Sequence, residues 1–450
     1  MGRSLSPRAL AAVAVVGLVL IVGYLWKLMQ VAATGSYEAW SGMLLIPVVI
    51  LLNVPLLLRA GRRDPDPRFL QLLVLAFVAK LAATAARWVM AFVLYNGSDA
   101  RLYSIEGARL AEAYRQWDFG ADIGREFIGT GFMRVATGAI YVITGPSFYL
   151  AWLLFSLFGF WGTYFLYRAF RVEVPDGNAR RYALLLLFLP SMLFWPAGLG
   201  KEAFITFGIG LMAYGSALLL SGYRTWAVPL LIGMAATAVV RPHITAALFT
   251  ALMLAWFLRK RLRPANELTP LTYVGGAVLI LAAGALVASS AASFLGLDSL
   301  TVSGVDSAIS STTELTDEGG STFTPAAVHG PQDLPLAAFT VVFRPMFFEA
   351  TNPQMMLAAL EGTLLLGLVA LSWRSLVKLP GRLRRQPYLI LCIVYTIVFV
   401  YAFSNFGNFG ILTRQRVQVL PFVLVFLALR APRHPAEPDT MSDREERALT

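Results

Sequence analysis

One cysteine and three histidines are all that 450 residues contain of thiolate and imidazole metal ligands, and only 14% of the chain is charged. Cys392, alone and inside an apolar run, excludes an internal disulfide and a thiolate metal cluster. His243, His329 and His434 are scattered, which gives no basis for a zinc or redox-metal site. No glycine loop of the Walker type is found, so nothing in the chain supports ATP-driven transport. Lysine is scarce too: of 37 basic residues nearly all are Arg, which with heavy Ala and Leu usage points to a GC-rich bacterial genome.

What is there instead is hydrocarbon. Hydrophobic residues make up 57% of the chain, and a mean hydropathy of +0.66 lies far outside the soluble range. This predicts an all-α polytopic membrane protein. A crossing needs about 20 apolar residues, and fewer inside a bundle. Twelve spans are expected on that basis, at 9–28, 40–58, 69–95, 148–168, 182–199, 203–221, 226–240, 244–258, 271–293, 355–373, 388–403 and 417–430. Two more apolar stretches, 131–145 and 336–348, are too interrupted to cross and are expected at an interface. "MGRSLSPR" mimics the start of a signal peptide, but no convincing cleavage site follows, so the first span is expected to be retained.

Short loops rich in Lys and Arg stay in the cytoplasm. With the N-terminus inside, "RAGRRDPDPR", "RKRLRP" and "KLPGRLRR" all become cytoplasmic, and both termini do, including a disordered tail at 431–450. This bias, together with anionic lipid at the inner face, accounts for the net charge of +11 without a nucleic-acid partner.

The outer face then collects polar residues against the same bias. In "YNGSDARLYSIEGARLAEAY", Asp99 follows directly on the third span and opens a segment of helical period. Tyr103, Leu110, Tyr114 and Trp117 form its apolar stripe, with Arg101, Arg109, Glu112 and Arg115 opposite, as in a helix lying on the membrane surface. Asp99 or Ser98 could simply cap that helix; the other reading is a carboxylate held at the lipid–water boundary. "LPSMLFWPAGLGKEAF" brings Lys201 and Glu202 to an outer helix start, where Glu202 could pair with Lys201 or complement the helix dipole. "AVVRPHITAA" brings Arg241 and His243, and in "FRPMFFEATNPQ" Arg344 and Glu349 bracket an apolar turn. Arg414 and Arg416, in "TRQRVQVLP", are two apart and cannot share a helix face. Lys80 and Arg87 share one face of the third span, as a bundle-internal polar contact would require. Basic residues in four outer turns point to a bound anion.

From 69 to 353 this layout resembles the GT-C superfamily of integral-membrane glycosyltransferases: the span 69–95, an acid in "GSDARLY" with an amphipathic helix, the piece around "GFMRVATGAIYVITGPS", the spans from 148 to 293, and the loop 294–353. The resemblance covers about two thirds of the chain and is architectural. It divides the chain into two extra spans (1–68), a GT-C-like module (69–353) with outer loops 96–147 and 294–353, C-terminal spans (354–430) and the tail. Two departures are the extra spans and the single first-loop acid. The resemblance implies a transferase using a polyprenyl-phosphate-linked sugar, with a glycan or glycolipid acceptor and membrane lipids as its other partners, working outside a bacterial cytoplasmic membrane. Such chemistry needs a base for the acceptor hydroxyl and cations for the departing phosphate. The resemblance then makes Asp99 the base and Glu202 a second acid. Arg344 with Arg241 or Lys201 forms the phosphate clamp, and Arg414 and Arg416 are next in line; His243, Glu349 and Tyr103 are further site candidates. Sites in the family can use a divalent cation, though no ligand set here compels one. "TRQRVQVLP" also looks like arginine-bearing segments of O-antigen polymerases, which keeps polymerase or ligase activity open. A lipid or solute transporter is the rival class, expected to show midplane charges and interrupted helices.

Overall fold

The computed structural model describes residues 22–430 except 259–321 and the single positions 32, 34, 36, 96, 125, 327, 329 and 384. Most of the expected first span, the span 271–293, the loop as far as 321 and the tail 431–450 lie outside the described residues. Among these residues the fold is helical without strands, with one isolated antiparallel bridge, Thr322 to Asn408. Contacts divide the chain into two compact units, 1–158 with 196–203, and 159–195 with 204–450.

In the first unit, α1 (Tyr37–Arg62) and α2 (Phe69–Val89) are joined by a tight turn through "RDPDPR". Asp64 and Asp66 each accept a backbone N–H two residues on, at 2.9 Å, folding the chain back on itself. α2 widens into a π-helical turn at Met90–Leu94 before α3 (Asp99–Arg115) begins. α3 packs along α4 (Phe132–Thr144). Gly107 of α3 faces the Thr137 side chain of α4, and a Cβ on it would come within 2.7 Å, so the two helices approach closely only because a side chain is missing there. The first turns of α5 (Phe148–Glu173) complete this unit.

The second unit takes the rest of α5, then α6 (Ala179–Phe188), α7 (Pro190–Phe194), most of α8 (Lys201–Leu220), α9 (Ala227–Ala238) and α10 (Pro242–Leu258). It continues with α11 (Leu334–Phe343), α12 (Pro353–Leu376), α13 (Leu379–Leu383), α14 (Pro387–Phe403), α15 (Phe409–Gln415) and α16 (Leu420–Leu427). Pro190 lacks the N–H that would carry α6 onward, and Leu189 turns to extended ψ, so the apolar run breaks in two. Gly362 of α12 lies against the end of α11, where a methyl group would overlap the Phe343 carbonyl.

Among the described residues six helices are long and apolar enough to cross a membrane: Tyr37–Arg62, Phe69–Leu94, Phe127–Thr144, Phe148–Glu173, Lys201–Leu220 and Pro353–Leu376. A seventh arises if Phe409–Gln418 and Leu420–Leu427, bent by 65°, count as one span. Five of these coincide with expected spans. The runs expected at 226–240, 244–258 and 388–403 form helices of 12, 17 and 17 residues, and 182–199 forms the broken pair α6 and α7. Phe127–Thr144 passes on length and composition although a surface position was expected for it; Ile128 and Gly129 leave helical geometry, and the regular part is the 13 residues of α4.

The stripe on α3 also differs from expectation. Tyr103 and Leu110 are buried within the protein, with Leu110 against Gly138 of α4, so this face meets a helix instead of lipid. Trp117 does not join it: it lies past the helix end with φ 63° and is 82% exposed. Arg101, Arg109, Glu112 and Arg115 are exposed on the other side, as the period requires.

Candidate anion-binding site

The expected site residues fall into two groups, one in each unit. In the first unit Ser98 caps α3 by accepting the Ala100 N–H at 3.1 Å, so capping does not fall to Asp99. Asp99 is the first residue of the helix and is exposed. Lys201 donates to the Thr130 hydroxyl at 2.9 Å. Glu202, 1% exposed, stands 4.0 Å from the Arg87 guanidinium, so an arginine of α2 is an ionic partner of it. Lys80, Thr84 and Arg87 run along one face of α2, where Thr84 shares a 2.5 Å hydrogen bond with Ser156 and gives its carbonyl to the Trp152 indole. Tyr103 is a buried packing residue.

The second unit holds the denser group. Arg344 follows α11, and its Nε donates to both carboxylate oxygens of Glu349, at 2.9 and 3.2 Å, while a terminal nitrogen adds a third bond. Glu349 also accepts the Met346 N–H at 2.8 Å, closing the short turn 346–349 on itself. Burial pushes the Glu349 carboxyl up, but the Arg344 and Met346 hydrogen bonds and the Arg344 charge outweigh it, so the group lies below its ordinary value of 4.5. Phe323 and Phe409 stack at 3.9 Å beside this pair. The Arg344 guanidinium carbon is 4.7 and 5.2 Å from their centroids. Those three distances place it alongside the stack, at the electropositive ring edges, so the rings wall the guanidinium without attracting it. Glu349 holds it.

Arg416 is fully buried, with Nη1 donating to the carbonyls of Val342 and Arg344 at 3.0 Å each and Nη2 3.8 Å from Glu361. Glu361 of α12, 3% exposed, accepts the Ser191 N–H at 2.7 Å and the Ser191 hydroxyl at 2.6 Å. Arg416 is therefore committed to the protein, whereas Arg344 is part-exposed at 21%. Arg241 donates to Gln415, which also accepts from Gln418. Arg414, half-buried, is the residue before Gln415. His243, in the first turn of α10, has its ring 6.5 Å from that of Phe403. The segment 409–418 thus carries Arg414 and Arg416 and meets Arg241 through Gln415 and the Arg344 backbone through Arg416.

Protein-family models, curated proteins and solved structures were compared with the chain, and none matches.

Chemistry must therefore be read from the geometry alone. A part-exposed planar fork is suited to an anion with two coplanar oxygens. Among the described residues no three His, Cys, Asp or Glu side chains gather as a metal site would require. Sequence reasoning missed Glu361 and Ser191 as partners, and it read Arg87 as a bundle-internal polar contact without naming Glu202. A signal existed for Glu361: a single acid in the middle of an apolar run is a functional or paired residue by default. For Ser191 there was none, because the contact spans 170 residues.

Proposed function

We propose that the chain is a membrane glycosyltransferase of GT-C-like architecture. It moves a sugar from a polyprenyl-phosphate-linked donor to a cell-envelope acceptor at the outer face of a bacterial cytoplasmic membrane, with twelve spans and both termini inside. The observation that carries this reading is the part-exposed Arg344 fork, which binds a carboxylate through both its oxygens. In the second unit Arg344, Arg241 and Arg414 serve the donor phosphate, and Arg416 supports them. In the first unit Asp99 is the base and Glu202, beside Arg87, a second acid. In the reaction the acceptor oxygen bonds to the anomeric carbon and its proton passes to a carboxylate base. The bond from that carbon to the phosphate oxygen breaks, and the phosphate leaves with the electron pair. Reconstitution with radiolabelled polyprenyl-phosphate sugars tests it: label appearing in an acceptor is the expected result, and label crossing the bilayer unchanged would overturn it. A ladder of products would identify the polymerase or ligase form.

A transporter is the second reading, and two observations favour it. Glu361 and Arg416 form a buried ion pair on apolar helices, and α6–α7 and α15–α16 are interrupted. Interrupted helices around buried charge are what transporters use to hold substrate and coupling ions.

A further inference from the structure

The proposed function gives Arg344 a phosphate, and the role assigned here to Glu349 rests on that reading. The fork is already filled. Glu349 occupies it with both oxygens, the geometry that a phosphate would adopt. We infer that Glu349 is a built-in occupant of the Arg344 fork that the phosphate headgroup of a membrane lipid displaces, so that this residue decides which anions the protein accepts.

Three observations lead there. The first is that the two sides of the pair are held unequally. Arg344 is fixed through its own carbonyl by Arg416, which Glu361 and Ser191 anchor in turn. Among the described residues Glu349 is held by Arg344 and by the turn that it closes, a single 3-10 turn at Phe347–Glu349. The second is exposure: both partners reach the surface, at 21% and 15%, so a ligand can attack the pair from outside. The third is the rim. Phe347 and Phe348, immediately before Glu349, are 44% and 88% exposed. Two bare phenylalanines beside an anion fork suit a ligand with an apolar tail.

An intramolecular carboxylate on so short a turn acts at an effective concentration on the order of millimolar or above. Soluble phosphates and carboxylates below that level do not compete with it. A lipid phosphate does, because the bilayer concentrates it and Phe347 and Phe348 take up part of its chain. Glu349 then swings toward solvent and gives up the Met346 N–H. Such a device raises the threshold for every anion alike, and one that also gains from burying an apolar chain passes it.

The test titrates purified full-length protein in detergent with a short-chain phosphatidic acid and, separately, with inorganic pyrophosphate, following heat by calorimetry. Wild type should bind the lipid and bind pyrophosphate at least about tenfold more weakly. Glu349→Gln keeps an acceptor for Met346 but removes the charge; it should bind both ligands about tenfold tighter, the worth of one charge-assisted contact. Adding Arg344→Gln to that variant should abolish the gain, and Phe348→Ser should weaken the lipid alone. Equal affinities in wild type and Glu349→Gln would overturn the inference, as would pyrophosphate binding wild type as tightly as the lipid, or a gain that survives loss of Arg344. A gain in affinity cannot come from misfolding. Absence of sugar transfer would remove the enzyme reading and leave these titrations standing.

Discussion

The two units treat their charges differently. In the first, Asp99 is exposed, and the buried Glu202 has the part-exposed Arg87 guanidinium 4.0 Å away. In the second, Arg416, Glu361 and Ser191 form a buried series at hydrogen-bonding or ion-pairing distance, ending on the Arg344 carbonyl. Both groups come from similar stretches of sequence: a proline, aromatics and a basic–acidic or basic–basic pair at the end of an apolar run. Local pattern therefore announces that a turn is polar. Whether the charge is spent on structure or left for a ligand is decided by contacts from far along the chain.

The sharpest way to break this contrast is to remove one partner of each pair. Arg416→Met leaves Glu361 buried and uncompensated, and stability should fall by about 3–5 kcal/mol. Arg87→Met, at the pair whose arginine is 13% exposed, should cost less. Apparent melting temperatures in detergent measure both, and equal losses would erase the difference between the units.

Next in size is Asp99→Asn. As the base, Asp99 is worth roughly 10²-fold in transfer rate. Because Ser98 does the capping, the same change should leave the melting temperature untouched, while Ser98→Ala should lower stability by about 1 kcal/mol and keep the rate. A normal rate for a well-folded Asp99→Asn protein would remove Asp99 from the chemistry.

Arg344→Lys keeps the charge and loses the planar fork. Its use of a lipid-phosphate donor should fall by about tenfold, read from initial rates at limiting donor. Unchanged donor dependence would shift the phosphate role to Arg241 or Arg414.

The smallest expected effect is on pH. Glu349 has a folded value below its ordinary 4.5, so its pairing with Arg344 contributes stability that is fully present above that value and lost as pH falls through the depressed one. Melting temperatures from pH 7 downward should show an acid-side loss in wild type that is smaller in Glu349→Gln. Parallel curves would mean that the pair contributes nothing.

Much of the helical layout was legible, and for a simple reason. The runs at 40–58, 69–95, 203–221 and 355–373 are continuous apolar stretches, and the helices found there, Tyr37–Arg62, Phe69–Leu94, Lys201–Leu220 and Pro353–Leu376, overrun them by a few residues at most. The run 182–199 reads as one hydrophobic segment, yet Pro190 divides it, and hydropathy averages over a proline without noticing it. For the candidate site, Arg344 with Glu349 was legible because the two are five residues apart and bracket a turn. The Arg416–Glu361–Ser191 series was not, since it joins residues 55 to 225 positions apart in the chain, and nothing in "LAALEGTLLL" names a partner. α3 illustrates the opposite error: its period is real, but period alone cannot tell whether a stripe faces lipid or another helix.

Gly362 adds a mechanical consequence. The end of α11 rests on α12 with no side chain between them, so the Phe343 carbonyl has nowhere to travel in that direction. With Arg416 gripping the next carbonyl, the arginine side of the clasp is a doorpost, and only the five residues from Pro345 to Glu349 can swing. A door that short opens by a few torsions of one loop, without any helix having to slide, and Gly362→Ala would jam it by pushing the post itself out of line.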